Sequence, residues 1–154
     1  MNAQQSSIYR TIELTMLELI PMSSRIPQIV MLRRLADRLT DELVDALAAT
    51  AMALTTASLR DRLSLLELIS LHLQNVDTIV RTMHEWSSMY GQTGQLGKSD
   101  QPGTEPEFAK PRIRLISKRQ YARYLKSMHN IYRQLNGWKK KTAESAEAES
   151  QYSL

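Results

Sequence analysis

Hydrophobic side chains recur every three or four residues along four stretches of this chain, which is the period of an amphipathic α-helix. The stretches cover about residues 7–20, 27–54, 59–89 and 118–141. Polar and charged side chains fill the positions between the apolar ones. The pattern predicts an all-α fold, an up-down-up-down four-helix bundle with a long loop before the fourth helix.

Local signals mark the ends of the predicted helices. Pro21 should stop the first helix at Ile20, because the residue before a proline resists the α-helical conformation. Ser58 is a candidate N-cap for the third helix. Ser117 and Gln120 form a capping box at the start of the fourth helix, in which each side chain binds the backbone N–H of the other residue.

The segment between the third and fourth helices reads as a loop. Residues 90–113 contain four glycines and three prolines, a composition typical of loops. The last residues are poor in apolar side chains, so we expect a frayed helix or a disordered acidic tail over 144–154. The rest of the chain predicts a single domain, residues 1–143, with the loop inserted before its last helix.

The fourth helix has two opposite faces when its residues are placed 100° apart. Apolar residues fall within an arc of roughly 140°, and basic residues fall within another arc of roughly 140° that faces away from it. Lys139 is the exception and lies near the apolar side. We therefore expect one face to be buried in the bundle and the other to carry positive charge.

Positive charge is concentrated around this helix. Residues 110–141 contain eleven Lys or Arg and no acidic residue, while residues 1–109 and 142–154 are net acidic, so the chain's +4 is −4, +11 and −3 in succession. Such a block predicts contact with a polyanion such as RNA or DNA, and a merely solvated helix face is the alternative. The candidate contact residues are Arg112, Arg114, Lys118, Arg119, Arg123, Lys126, Arg133, Lys139, Lys140 and Lys141.

The sequence offers no convincing active site. The absence of cysteine excludes disulfides, thiolate nucleophiles and thiolate metal ligands. His72, His84 and His129 lack the spacing of a helical zinc motif. We therefore predict no enzymatic activity, no metal and no cofactor. The N-terminus lacks a signal-peptide pattern and no apolar run reaches the ~18 residues of a membrane span, so we expect a cytoplasmic protein without membrane contact.

Aromatic side chains on the fourth helix are a second possible contact with nucleic acid, because they can stack on bases. They lie on its apolar arc, however, so we expect core packing instead. The residues concerned are Tyr121, Tyr124, Tyr132 and Trp138.

The end of the fourth helix resembles that of a known family. The segment RQLNGWKKK, residues 133–141, is similar to the R-L-L-G-G-W-x-K ending of the last helix in the accessory variability determinant (Avd) family. ISKRQYARYL at 116–125 resembles the start of that helix, and SRIPQ at 24–28 resembles the family's first connector. The resemblance covers roughly residues 6–142. The related 23S rRNA intervening-sequence proteins share the four-helix bundle.

This resemblance implies a bundle that assembles as a homopentamer and accompanies the reverse transcriptase of a diversity-generating retroelement, in which template RNA is copied mutagenically. In the family, a basic surface contacts reverse transcriptase and nucleic acid. Among the candidate contact residues, Arg133, Lys140 and Lys141 lie within the matched motif. The implied function is a non-enzymatic accessory role with reverse transcriptase and RNA or DNA as partners.

Two other functions remain open. Arg123 and His129 are similar to the Arg-x4–6-His pair of HEPN-type helical ribonucleases, in which such a pair would stabilise a phosphorane-like oxyanion and transfer protons. Substitution of His129 should then abolish RNA cleavage and leave RNA binding intact. Alternatively, the basic face docks an acidic protein, and competition by a random RNA separates that function from RNA binding.

Overall fold

The computed structural model describes residues 6–23, 30–93 and 116–152, and the regular secondary structure in these ranges is entirely helical. The helices are α1 (Ser7–Ser23), α2 (Val30–Thr55), α3 (Leu59–Thr93) and α4 (Lys118–Tyr152). The predicted all-α fold with four helices is therefore confirmed for this part of the chain. The alternation of helix directions stays a prediction.

The four helices share a single apolar core. α2 packs against α1 and α3, and α4 packs against α3 and α1. Fully buried side chains come from every helix, with Ile12, Leu43, Leu73 and Ile131 as examples. Burying a side chain of this size stabilises the folded chain by about 1.5–3 kcal/mol. Tertiary packing therefore holds each helix in place and leaves its opposite face for solvent or partners.

Three residues connect α2 and α3, and this turn is fixed by side chains. Ser58 Oγ accepts a hydrogen bond from the backbone N–H of Asp61 at 3.2 Å, which confirms the predicted N-cap. Arg62 donates from Nε to the Ala53 carbonyl at 3.1 Å and from Nη2 to the Thr56 carbonyl at 2.5 Å. Its positive charge thus satisfies carbonyls at the end of α2, where the helix dipole favours a cation.

The capping box at the start of α4 is present as predicted. The Gln120 N–H donates to Ser117 Oγ at 3.1 Å, and the Ser117 N–H donates to Gln120 Oε1 at 2.9 Å. Ile116, directly before the cap, is buried. These contacts fix the first turn of α4, where the basic residues of this helix begin.

Two helix ends differ from the prediction. α1 continues through Pro21 to Ser23. Pro21 lies in the last turn, so its missing N–H removes a single backbone hydrogen bond there. α3 continues to Thr93, four residues into the predicted loop, because a glycine such as Gly91 is tolerated near a helix C-terminus. The predicted start of helix 2 at Pro27 and the rest of the loop lie outside the described residues.

For the acidic tail, the sequence left open a frayed helix or a disordered segment, and the described residues are helical, because α4 continues to Tyr152. Two alanines in this stretch, Ala146 and Ala148, have high helix propensity, and extending an existing helix avoids the cost of nucleation. Ser145 and Ser150 donate hydrogen bonds to carbonyls one turn earlier. The acidic residues are therefore held on the same rigid element as the basic ones.

Candidate nucleic-acid interface

Basic side chains form a regular stripe along α4. Arg119, Lys126, Arg133 and Lys140 are seven residues apart, and all four are exposed. Seven residues are almost two helical turns, so these side chains lie on one side of the helix about 10 Å apart along its axis. We call this row the basic stripe. The seven-residue spacing is present in the sequence, but assigning the charges to one face of the helix does not by itself reveal it.

Further exposed cations flank the basic stripe. Lys118 lies at its start, and Arg123 and Lys141 lie toward α1. Arg123 shares a shallow groove with Thr15 and Glu18 of α1. The exposed face of α4 therefore presents seven of the ten predicted contact residues.

Few of these cations are neutralised by the protein itself. Within the described ranges, no ion pair involves Lys118, Arg119, Arg123, Lys126 or Lys141. Arg133 donates a hydrogen bond to the Asn130 side chain at 3.1 Å, and Lys140 lies 4.0 Å from Glu144. Exposed pairs of this kind contribute about 0–1 kcal/mol, so an incoming phosphate can displace them.

Of the other three predicted contact residues, the structure describes Lys139, which is not on this surface. Lys139 Nζ lies 3.0 Å from Glu67 Oε2, and the Lys139 side chain is only 22% exposed. This pair joins α4 to α3, as the position of Lys139 near the apolar arc suggested. Arg112 and Arg114 lie outside the described residues.

The distribution of charge along α4 does not stabilise the helix. Helix dipoles favour acidic residues near the N-terminus and basic residues near the C-terminus, by about 0.3–1 kcal/mol each. α4 has no acidic residue in its first turn and no basic residue in its last turn, and its cations precede its acids. The arrangement of these charges is therefore not explained by helix stability.

Two tyrosines of α4 pack inside the bundle, as expected. Tyr124 is 3% exposed, and its hydroxyl donates a hydrogen bond to Asp77 Oδ1 at 3.1 Å. Burial, together with the nearby Asp77 carboxylate, raises the pKa of Tyr124 and keeps its hydroxyl protonated. Tyr121 stacks on His84 of α3 with ring centroids 3.9 Å apart. Neither ring is free to stack on a base.

Trp138 is arranged differently, because it packs against the core and also lines an open groove. We call this the Trp138 groove. Gly137 forms part of its lining, and a Cβ at that position would meet no heavy atom within 4 Å. Among the described residues, the lining is Ser6 just before α1, Ser7 and Ile8 of α1, Leu54 of α2, and Arg133, Gln134, Gly137, Trp138 and Lys141 of α4.

The structure does not bring Arg123 and His129 into contact with each other. Arg123 and His129 are both exposed, and no described contact joins them. Their separation of six residues places them about 9 Å apart along the axis and roughly 120° apart around it. His84 is half-buried against Tyr121. In the ranges that the structure describes, no group of three or more His, Asp or Glu is placed to hold a metal ion.

A separate polar cluster lies between α2 and α3. Glu42 is 2% exposed, and its carboxylate lies 2.6 Å from His72 Nδ1 and 2.7 Å from Arg38 Nη2. Burial alone would raise the pKa of Glu42, but hydrogen bonds from His72 and Asn75 and the charge of Arg38 outweigh burial and lower it. The cluster joins two helices and is remote in sequence from the basic stripe.

Comparison with known proteins adds no assignment: no family model, no curated protein and no solved structure matches the chain significantly. Among the described helices, none combines the length and the apolar character that a membrane crossing requires. The exposed surface of α4 is therefore the feature from which a function has to be argued.

Proposed function

We propose that this protein is a non-enzymatic accessory factor that binds RNA or DNA through the basic stripe of α4. The observation that carries the proposal is the row of exposed cations, together with its flanking residues, which the protein leaves largely without acidic partners. Arg and Lys contacts to phosphates release condensed counterions, so the affinity is high at low salt and falls as salt is added. Such contacts position a nucleic acid without reading its sequence.

Within this role, the resemblance of residues 133–141 to the Avd motif supports a place in a diversity-generating retroelement. The protein then binds reverse transcriptase and template RNA or cDNA in the cytoplasm and supports mutagenic reverse transcription. The same basic surface serves both partners. Mixing the protein with a retroelement reverse transcriptase should give a complex that migrates as one species on gel filtration.

The proposal includes an up-down-up-down bundle. Ala53 contacts Arg62 and Glu42 contacts His72, so positions along α2 rise as those along α3 fall. Asp77 with Tyr124 and Glu67 with Lys139 follow the same rule for α3 and α4. Such pairs support neighbouring helices that run in opposite directions. Assembly into a homopentamer is the further part of the proposal that rests on the resemblance.

The nucleic-acid role is tested by removing three unpaired cations, Arg119, Arg123 and Lys126, as the triple variant R119Q/R123Q/K126Q. Binding of a labelled structured RNA is followed by fluorescence anisotropy over a salt series. We expect at least a tenfold loss of affinity at low salt, and a salt slope that is shallower by about two to three because three phosphate contacts are lost.

The matched control is R33Q/R34Q/R60Q, which removes three exposed cations from α2 and α3. Both variants lower the net charge of +4 by the same amount, so a difference between them reports the position of the charge. Equal losses in the two variants, or no RNA binding by the parent protein, would reject the basic stripe as the interface. If an acidic protein also binds and random RNA displaces it, the acidic protein and the RNA use the same surface.

A further inference from the structure

We infer that the Trp138 groove binds single-stranded nucleic acid, with one base stacked on the Trp138 indole and neighbouring phosphates on Arg133 and Lys141. The inference rests on the proposed nucleic-acid role. It adds the strand form of the ligand and the place where a base is held. It also gives Trp138, expected only to pack in the core, a second role where its ring lines the groove.

Gly137 is the first reason for this inference. A glycine within a helix is less favourable than alanine by roughly 0.5–1 kcal/mol. Crowding by the described residues does not require it, since an added Cβ would meet none of their heavy atoms within 4 Å beyond its chain neighbours and the nearby backbone of its own helix. Gly137 nevertheless lies in the wall of the groove, beside Trp138. A glycine at this position leaves room for a ligand to approach the helix backbone closely.

The chemistry of the groove gives the second reason. Arg133, Gly137 and Lys141 follow one another at intervals of four residues, so they form a row on α4, with the two cations about 12 Å apart along the axis. Gln134 and Trp138 form the adjacent row on the side toward α1. The groove thus offers two well-separated positive charges, one aromatic ring, and open space at Gly137 between the charges.

This combination fits a single strand better than a duplex. Bases in a duplex are stacked on one another and cannot present a face to a protein ring, whereas an unpaired base can stack on Trp. A base with its two neighbouring phosphates matches one ring between two cations. An acidic polypeptide could pair with the two cations, but its Asp and Glu side chains carry no aromatic ring to stack on the indole.

Fluorescence of Trp138 tests the stacking directly. Trp86 is the other tryptophan, so the variant W86F leaves Trp138 as the sole reporter. A single-stranded RNA of about ten nucleotides should quench its emission, because the indole stacks on a base. The same sequence annealed to its complement should bind through the basic stripe and leave the emission almost unchanged.

A second test uses a substitution that should affect stability and binding in opposite directions. G137A should raise the melting temperature, because alanine favours the helix. It should weaken binding of the single strand at least threefold, because its methyl group occupies the groove. N136A is the matched control: it lies on the same helix, is exposed and also favours the helix, but it does not line the groove.

W138L completes the set and should weaken single-strand binding by roughly fivefold to a hundredfold, the range expected for loss of one base–aromatic stack. Its circular dichroism and melting curve are checked first, and G137A carries the test if W138L is poorly folded. Quenching by the single strand, with weakening in G137A and not in N136A, supports the inference.

The outcomes distinguish this inference from the proposal on which it rests. If RNA binds but Trp138 is not quenched and G137A binds normally, the groove inference is wrong and the basic stripe stands. If poly-glutamate quenches Trp138 and RNA does not, the groove binds an acidic polypeptide and the inference is again wrong. If R119Q/R123Q/K126Q and the parent protein both fail to bind any RNA, the proposed function and the inference are rejected together.

Discussion

At the scale of single residues, Glu42 is the clearest example of a charge that the fold must compensate. A buried carboxylate is unfavourable unless it is paired and hydrogen-bonded. Here both oxygens have partners, Oε1 in Arg38 and Oε2 in His72. Because these partners favour the ionised form, the pKa of Glu42 lies below its ordinary value of 4.5 despite burial.

We predict that this pairing makes stability depend on pH. A carboxyl whose pKa is lower in the folded state contributes stability above its ordinary value near 4.5, and the contribution is lost as pH falls through the folded-state value. Glu42→Gln should therefore reduce the free energy of unfolding by about 1–3 kcal/mol at pH 7, and by much less at pH 3. Urea unfolding at several pH values between 3 and 7 measures this difference.

Glu67→Gln is the control for that experiment. Glu67 is 72% exposed and pairs with Lys139 at the surface, where an ion pair contributes about 0–1 kcal/mol. Its loss should have little effect at any pH. A difference between E42Q and the parent protein that stays constant from pH 7 to pH 3 would contradict the assignment of the charge to Glu42.

At the scale of helices, the sequence predicts those features, such as caps, that depend on residues close together in the chain. The capping box at Ser117 and the N-cap at Ser58 were correct because each involves residues within one turn. The end of α1 was wrong because the rule for Pro21 describes a preference, and a proline in a last turn loses only one hydrogen bond. For the acidic tail, composition could not decide between a frayed helix and disorder, because it does not show whether a preceding helix extends through the tail.

In the candidate site, too, features set by nearby residues were predictable and features set by helix packing were not. Periodicity correctly placed seven cations, Lys118 among them, on the exposed side of α4, because exposure depends on the angle around one helix. It could not show that Glu67, seventy-two residues earlier, would pair with Lys139. Nor could it show that the start of α1 and the end of α2 meet the middle of α4 around Trp138, because that groove depends on how three helices pack.

The helical acidic end of α4 leads to a second prediction. Glu144, Glu147 and Glu149 continue the helix that carries the basic stripe, so they repel a bound polyanion within a screening length of about 10 Å. E144Q/E147Q/E149Q should tighten RNA binding about two- to fivefold at low salt, and the effect should fade at high salt. Anisotropy titration measures this, with S145A/S150A as a control on the same turns. Unchanged affinity at low salt would mean that RNA does not approach this end.

At the scale of the whole molecule, four of the exposed apolar residues form two pairs on different helices. Leu14 and Leu17 on α1 are 54% and 59% exposed, and Leu68 and Leu71 on α3 are 41% and 52% exposed. Residues three apart lie on the same side of a helix, so each pair forms a small apolar surface. α1 and α3 do not contact each other in the described structure, so these surfaces belong to different sides of the bundle.

Two distinct apolar surfaces are what a ring requires. In a cyclic assembly of five copies, each copy contacts its two neighbours through different surfaces, whereas a twofold dimer uses the same surface on both copies.

If the proposed homopentamer forms through these surfaces, light scattering should give a mass of about 88 kDa, five times the 17.6 kDa of one chain. L14S/L17S and L68S/L71S should each reduce the mass, because loss of either surface breaks every contact. L125S, at an isolated exposed leucine of α4, should leave it unchanged. A monomeric parent protein, or loss of assembly in only one double variant, would reject a ring built from these two surfaces.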